Sequence, residues 1–407
     1  MVEDATHRLL RRHPLRLLML LGTRPEAVKL APLVVYGRTR PDLDIRLVSS
    51  GQHPTEMLEA LGHFGLRADR SVTLFPGDWT LADMAAGVLT GLARELASTQ
   101  PDVVVVQGDT TTAFAGALAA FYAGIPVAHV EAGLRTNHAA EPFPEEMNRR
   151  LIDNVATFRF PPTPAAAANL AAEGLGGSDV FTTGNTIVDA LHTLLARERA
   201  PLDGRASRFL DPHWSGRIVV TAHRRENWGK PMDEIALALQ GIGERFPTHV
   251  ALLPLHPNPL VRRAFRARAL PENVIVADPL PYVQFITALE RSDLVVTDSG
   301  GVLEEATALG RPALILRNRT ERPEAVAVGS AKVIGIEHHG IEAAVAHSLQ
   351  NGGLSDQATD VFGDGQASER ILDWLRWRFG LTAERPEPFV PTSQALLETV
   401  LPLRRIA

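Results

Sequence analysis

The chain has 407 residues, 45% of them hydrophobic and 22% charged, with a formal net charge of −6. It contains no cysteine, which excludes disulfides, thiolate metal sites and a cysteine nucleophile and fits a cytoplasmic protein. No basic tract points to nucleic acid as a partner, and no apolar run approaches the ~20 residues of a membrane span. The length exceeds the roughly 250–300 residues of one core, so we expect two domains.

Short apolar runs in the first half of the chain alternate with helical stretches. The predicted strands cover 15–20, 44–50, 102–107, 125–131 and 179–184, and the clearest helices cover 81–98 and 111–124. Nearly continuous apolar strands of this kind are typical of parallel sheets with helices on both faces. The first half therefore predicts a doubly wound α/β domain that ends near Gly184.

The pattern pauses over residues 184–216 and then starts again. Further strands are predicted at 217–223, 249–256, 273–278, 293–298, 312–317 and 332–336, followed by a helix at 366–380. This second series predicts another doubly wound domain. Ligands of open α/β sheets bind beyond the carboxyl ends of the strands, so the residues directly after each strand carry most of the functional information.

Charged residues follow the strands of the first half. Arg24 and Lys29 lie in "LGTRPEAVKLAP", Asp109 in "QGDTTTAF", Glu131 in "HVEAGLR" and Glu145 in "EPFPEEMNRR". Asp109 could simply cap the next helix. Carboxylates from adjacent strand ends, however, raise one another's pKa, which gives a site both an acid and a base near neutral pH.

The second half supplies groups that suit a phosphate. His223 and its neighbouring arginines in "AHRRENWG", with His256 after the next strand, could bind a diphosphate or form a solvated loop. In "TDSGGVLEEA", residues Ser299–Gly301 could present N–H groups to an anion at a helix start, or merely cap that helix. Glu305 could accept hydrogen bonds from sugar hydroxyls.

Several ligand classes lack sequence support. No strand–helix junction carries the G-x-G-x-x-G fingerprint or a P-loop, so NAD and ATP are not expected. The fourteen histidines include no H-E-x-x-H pair, and we expect no metal.

Eight segments in matching order resemble the bacterial non-hydrolysing UDP-N-acetylglucosamine 2-epimerases. They are "GTRPEAVKLAPL", "GDTTT", "HVEAGLRT", "PFPEEMNRR", "GNTIVDAL", "TAHRREN", "DSGGVLEEA" and "TERPEAV", spread over about residues 15–380. The resemblance implies a GT-B fold, with Rossmann-like domains over 1–184 and 185–365, a cleft between them, and residues 366–407 joined to the first. It also implies a UDP-sugar substrate, no cofactor and a homodimer.

The same resemblance implies the chemistry. UDP leaves C1 while a carboxylate removes the C2 proton, and UDP then adds back to the 2-acetamidoglucal as a proton returns to the opposite face. Asp109, Glu131 and Glu145 are the implied catalytic carboxylates. His223 belongs with them and, with Ser299 and Gly300, holds the diphosphate. The remaining implied substrate-binding residues are Arg24 near the diphosphate, Glu305 at the ribose, Arg149 and Arg322 on the sugar side, and Lys29, His256 and Gly301.

Four alternatives remain open at this stage. A hydrolysing relative would release N-acetylmannosamine and UDP, and another 2-epimerase would act on a modified UDP-sugar in antibiotic or polysaccharide biosynthesis. A GT-B glycosyltransferase or a non-catalytic nucleotide-sugar binder would share the fold.

Two loops depart from the family pattern. Many members bind a second UDP-N-acetylglucosamine as an activator through a "QHREM"-like stretch and an Arg-Gln or Gly-Gln pair. Here the first reads "QHPTEM", which keeps Gln52 and His53, and the second has Asp78 and Trp79. Because an aspartate repels a diphosphate, we predict an altered site with weak or no dependence on this activator.

Overall fold

The computed structural model describes residues 14–72, 80–197, 199–224, 227–255, 258–266, 268–352, 354–355, 359–394 and 397. Their contacts form two compact units, residues 14–193 with 363–391, and residues 194–362 with 392–394 and 397. The first unit continues past Gly184 because the following helix is tied to it. Asn185 contacts Glu131, and Asp189 accepts a hydrogen bond from Ser368.

Twelve strands are found in the described part of the chain. They are β1 Leu15–Leu21, β2 Leu43–Ser49, β3 Arg70–Ser71, β4 Val103–Gln107, β5 Val127–Val130, β6 Phe158–Phe160, β7 Gly216–Thr221, β8 His249–Pro254, β9 Val274–Ala277, β10 Leu294–Thr297, β11 Ala313–Ile315 and β12 Ala331–Val333.

The α-helices among the same residues run between these strands and after the last one. They are α1 Arg24–Gly37, α2 Pro54–His63, α3 Leu81–Thr99, α4 Thr111–Tyr122, α5 Glu145–Val155, α6 Pro164–Ala172, α7 Thr186–Leu195, α8 Lys230–Arg245, α9 Pro259–Arg266, α10 Tyr282–Glu290, α11 Gly300–Ala308, α12 Pro323–Ala327, α13 His338–Asn351 and α14 Ala367–Arg378. None of them is both long and apolar enough to span a bilayer.

Both sheets are parallel and repeat one strand order. The first sheet runs β3-β2-β1-β4-β5-β6 and the second runs β12-β11-β10-β7-β8-β9. In each, the first strand of the unit lies beside the fourth, as at Leu17↔Val103 and Val219↔Val295. The chain changes direction across the sheet at these two pairs, and such switch points are where open α/β sheets bind ligands. Two Rossmann-like units in one chain confirm the predicted GT-B class.

The first unit is packed by apolar strands and small helical residues. Leu18 and Leu20 of β1 are fully buried against α3 and α4. Gly116 of α4 lies so near the sheet that a Cβ there would come within 2.1 Å of the Leu20 side chain. This close approach holds the middle of α4, the helix that follows Asp109, against the end of β1.

Helix α14 packs within the first unit. Trp374 is fully buried, and its ring lies 5.3 Å from Phe158 and 5.4 Å from Phe160. Arg376 also bonds to Asp42 at 2.9 Å.

One predicted strand of the first half is wrong. Residues 179–184 form no strand, and Val180 makes only an isolated bridge to Arg159. The sixth strand of the sheet is instead β6, whose arginine interrupts the apolar run that marks the other buried strands. The edge strand β3 is only two residues long, too short for any periodicity.

Candidate active site

The loops at the switch point of the first unit are joined by a buried carboxylate. Glu26 is fully buried and accepts hydrogen bonds from the N–H of Gly22 at 3.0 Å, the N–H of Thr23 at 2.8 Å and Thr110 Oγ1 at 2.7 Å. Burial raises the pKa of Glu26, although these donors act against it. The loop after β1 and the loop after β4 are therefore fixed together, and Arg24 is exposed beside them.

Asp109 is oriented by helix α5. Arg149, itself buried, donates Nε to Asp109 Oδ2 at 3.1 Å, and Asn148 donates to the Asp109 backbone carbonyl at 2.9 Å. The Asp109 side chain is 26% exposed, so it is held by an arginine and still accessible to a ligand. The preceding Gly108 has φ +70°, a left-handed turn that glycine adopts without strain.

Glu131 is more deeply enclosed. It has φ +69°, which is strained for a residue with a Cβ and is often found at functional sites. Its Oε2 forms an ion pair with Lys29 and accepts hydrogen bonds from Gln107 at 3.1 Å and Asn185 at 3.3 Å. Three donors thus converge on one oxygen. Lys29, expected to bind substrate, lies against a predicted catalytic carboxylate.

Glu145 begins α5 and is half-buried. A carboxylate is stabilised at a helix start by the exposed N–H groups. Glu145 lies on the helix that carries Asn148 and Arg149, so the structure joins it to Asp109 through these two residues.

The next residue, Glu146, is a structural carboxylate that sequence reasoning left without a role. It is fully buried and accepts the N–H of Thr136 at 3.0 Å and of Asn137 at 3.2 Å. It also pairs with Arg149 and Arg150. The i, i+3 and i, i+4 spacing of one acid and two arginines is the sequence signal that could have found it.

The switch point of the second unit is built around a buried aspartate. Asp298 accepts the N–H groups of His223 and Arg224, both at 3.0 Å, and a side-chain bond from Asn227 at 2.9 Å. His223 Nδ1 lies 3.4 Å from Asp298 Oδ1, and 45% of the His223 side chain is exposed. Asp298 therefore fixes the loop that presents His223, a role the sequence did not indicate.

The start of α11 lies beside this loop. Ser299 caps the helix by accepting the N–H of Val302. Arg322 covers Gly300 and bonds through Nε to Glu304 at 2.6 Å and through Nη1 to Glu321 at 2.7 Å. A helix N-terminus flanked by arginine suits an anion. Arg322, expected on the sugar side, lies with the residues expected to hold the diphosphate.

The other predicted residues have these positions. Glu305 is buried and accepts a hydrogen bond from Tyr282 Oη, while a Cβ on Gly301 would point into open space. Gln52 accepts a bond from Thr112 Oγ1 at 2.7 Å, and the exposed His53 precedes α2. His256, Asp78 and Trp79 lie outside the described residues.

Comparisons with known proteins agree with this arrangement. The model of the family described as UDP-N-acetylglucosamine 2-epimerase matches residues 37–376. The UDP-N-acetylglucosamine 2-epimerase of Bacillus subtilis (strain 168) is 38% identical over 385 residues, which cover 92% of this chain and 98% of the relative.

Solved structures give the same result. The Neisseria meningitidis UDP-GlcNAc 2-epimerase bound to UDP-GlcNAc has a TM-score of 0.85 and 34% identity, covering 88% of this chain and 99% of its own. The S. aureus MnaA–UDP structure has a TM-score of 0.85 and 35% identity, covering 92% and 100%.

Proposed function

The chain belongs to the UDP-N-acetylglucosamine 2-epimerase family, and we propose that it interconverts UDP-N-acetylglucosamine and UDP-N-acetylmannosamine by inverting C2. The observation that carries the proposal is the chemistry of the two switch points. One presents Asp109, partly exposed and held by Arg149, at the end of the strand next to the one that leads to Glu131, which is buried with Lys29. The other presents a helix N-terminus and His223.

The reaction needs these two kinds of group because the C2 proton has no adjacent carbonyl. When the C1–O bond to UDP breaks, developing positive charge at C1 makes the C2 proton acidic. A carboxylate removes that proton, the C–H electrons form the C1=C2 double bond, and UDP leaves with the C1–O electrons. Re-addition reverses both steps, with the proton delivered to the other face of C2, so no electrons are gained or lost overall.

We assign proton transfer to Asp109, Glu131 and Glu145, since catalysis on two faces needs more than one acid–base group. The start of α11, with His223 and Arg322, stabilises the departing diphosphate by charge and N–H donors. Arg24 and Glu305 complete the proposed contacts to UDP. Lys29 forms an ion pair with Glu131, and an adjacent cation favours the carboxylate form that a base requires.

Incubation with UDP-N-acetylglucosamine in D₂O, followed by NMR of the products, tests the proposal. Deuterium at C2 with UDP still attached is the expected result. Free UDP with N-acetylmannosamine would mean a hydrolysing 2-epimerase instead. An unchanged substrate would overturn the assignment and leave a modified UDP-sugar, a glycosyltransferase or a binding protein to be tested.

A homodimer in the cytoplasm is also part of the proposal. Helices α4 and α5 pack side by side and expose large apolar side chains, namely Phe121, Tyr122, Met147 and Leu151. Apolar surface of this kind is typical of subunit interfaces. Light scattering should give twice the chain mass, and Met147→Glu with Leu151→Glu should shift the protein toward monomer. A wild-type monomer at micromolar concentration would contradict the dimer.

A further inference from the structure

Eight ionisable side chains in the first unit form a closed ring that begins and ends beside Asp109. In order they are Asp109, Arg149, Glu146, Arg150, Glu173, Arg135, Asp153 and His129, and the last contacts the carbonyl of Gly108. We call this set the charge ring. Its members come from the ends of β4 and α6, from β5 and the loop after it, and from α5, so it ties these segments together.

The first half of the charge ring runs along α5. Arg149 contacts Asp109 through Nε at 3.1 Å and Glu146 through Nη1 at 3.3 Å. Arg150 then contacts the other oxygen of Glu146 at 3.0 Å and Glu173 at 3.2 Å. Acid and base alternate at every step.

The second half returns through the interior. Arg135 Nη2 lies 2.6 Å from Glu173 and 2.8 Å from Asp153 Oδ2. Asp153 Oδ1 lies 2.7 Å from His129 Nδ1, and His129 Nε2 lies 2.8 Å from the carbonyl oxygen of Gly108. His129 and Asp153 are both fully buried.

The hydrogen bonds decide the protonation of His129. A carbonyl oxygen can only accept, so Nε2 must carry a hydrogen, and a neutral imidazole then has none left for Nδ1. Nδ1 faces Asp153, whose other oxygen accepts from Arg135 and from the N–H of Gly133 at 3.2 Å. These two donors favour the carboxylate form of Asp153, because hydrogen bonds to the charged form and an adjacent cation stabilise it. An ionised Asp153 needs a second N–H on the ring.

The charged groups around His129 act in opposite directions. From the neighbouring strand β6, Arg159 stands in register with His129 and donates to the Asp153 backbone carbonyl at 2.7 Å. The negative charge of Asp153 favours the imidazolium form of His129, whereas the positive charges of Arg135 and Arg159 disfavour it. The short bond to Asp153 decides between them, because close charges dominate in a buried site.

We propose that His129 is an imidazolium that donates through both ring nitrogens in the folded protein, and that it acts as a positioning residue that fixes the Gly108–Asp109 turn. Its Nε2–H donates a hydrogen bond to the Gly108 carbonyl, while Arg149 of α5 donates to the Asp109 carboxylate. The role of Asp109 in catalysis rests on the proposed function; the protonation state of His129 does not. Two separate measurements therefore test the two parts.

The protonation state is tested by NMR on the full chain labelled with ¹⁵N-histidine. At pH 9, histidines with a pKa near 6.5 are neutral, so the expected spectrum has one imidazolium with two slowly exchanging N–H protons. That signal should be absent from His129→Gln, which assigns it, and should become a neutral tautomer in Asp153→Asn. Only neutral histidines in the wild type at pH 9 would overturn the proposal, whether or not the variants fold.

The positioning role is tested by kinetics. In His129→Gln we expect kcat to fall ~10²-fold, as for a displacement of about 1 Å in a reacting group. The Kd for UDP, measured by calorimetry, should change less than twofold because the residues assigned to UDP are in the second unit apart from Arg24, and none of them belongs to the charge ring. An unchanged kcat in a folded variant would overturn the positioning role, while failure of the D₂O assay in the wild type would instead overturn the proposed function.

Discussion

Arg322 lies directly over Gly300, with its Nη1 atom 2.2 Å from the point that a Cβ on Gly300 would occupy. The guanidinium has little freedom to move, since it is buried and bonds to Glu304 and Glu321. Around a Cβ on the next residue, Gly301, nothing lies within 4 Å. Two adjacent glycines of one helix thus have opposite steric surroundings.

Gly300→Ala should therefore lower the melting temperature and Gly301→Ala should not. Displacing Arg322 weakens charged hydrogen bonds that typically contribute about 1.5–3 kcal/mol. Alanine in the open position of a helix is favoured over glycine by about 0.8–1 kcal/mol. Thermal unfolding of both variants under one set of conditions measures the difference. Equal melting temperatures would show that Arg322 adjusts freely and does not confine this position to glycine.

Replacing the proposed catalytic carboxylates should reduce turnover selectively. Asp109→Asn, Glu131→Gln and Glu145→Gln are each expected to lower kcat by ~10²–10⁴-fold, the typical effect of losing a general acid or base. UDP affinity should change much less. Glu141 is exposed and precedes helix α5. The variant Glu141→Gln is therefore a matched control, for which wild-type kcat is expected. Near-normal turnover in all three variants would contradict the assignment.

The sequence predicted most of the fold and the charged residues that follow the strands, but not the buried residues that position them. Apolar runs marked the buried strands, and the glycine and proline motifs marked the loops after them. Asp109 and Arg149 of the charge ring were predicted as site residues, but its buried members were not, because His129 looks like an ordinary strand residue and Asp153 like an ordinary helix residue. The role of these residues depends on contacts between separate strands and helices, and the local sequence pattern does not show which residues make those contacts. The role of Asp298 was missed for the same reason, since His223, which it contacts, lies 75 positions away in the chain.

The buried pair of Lys29 and Glu131 should show strong coupling in stability. Lys29→Met leaves Glu131 without its cation, and Glu131→Gln leaves Lys29 without its anion. Each is expected to cost about 3–5 kcal/mol, as for other buried pairs that lose one partner. The double variant removes both charges and should be more stable than either single one. Denaturant unfolding of all four proteins gives the coupling free energy, and additive effects would show that the pair is not coupled.

The two loops that depart from the family pattern predict that the reverse reaction starts without a lag. The departure from the family pattern at Asp78 and Trp79 predicts weak or no dependence on UDP-N-acetylglucosamine as an activator, so we expect the reverse reaction to start without it. The measurement is the time course from purified UDP-N-acetylmannosamine alone. A lag that a trace of UDP-N-acetylglucosamine abolishes would show that a second binding site still operates. A linear start supports independence.

Asp189 should give the protein a pH-dependent stability of unusual sign. Its carboxyl group is buried and accepts the N–H groups of Ser368 at 2.7 Å and Ala367 at 3.2 Å, at the start of α14. Burial outweighs these bonds and raises the pKa of Asp189 from 3.8 to about 6. A folded-state pKa above the unfolded one means that the contribution to stability is complete below about pH 3.8 and is lost as the pH rises through 6.

The shift corresponds to about 3 kcal/mol between these limits. Asp189→Asn cannot ionise, so the wild type should lose stability relative to this variant between pH 4 and pH 6.5, and the difference should be constant above that range. Thermal unfolding of both proteins at half-unit pH steps measures it, with each pair compared in the same buffer. If the wild type instead gains stability relative to the variant as the pH rises, the N–H groups of α14 outweigh burial and Asp189 is ionised in the folded protein.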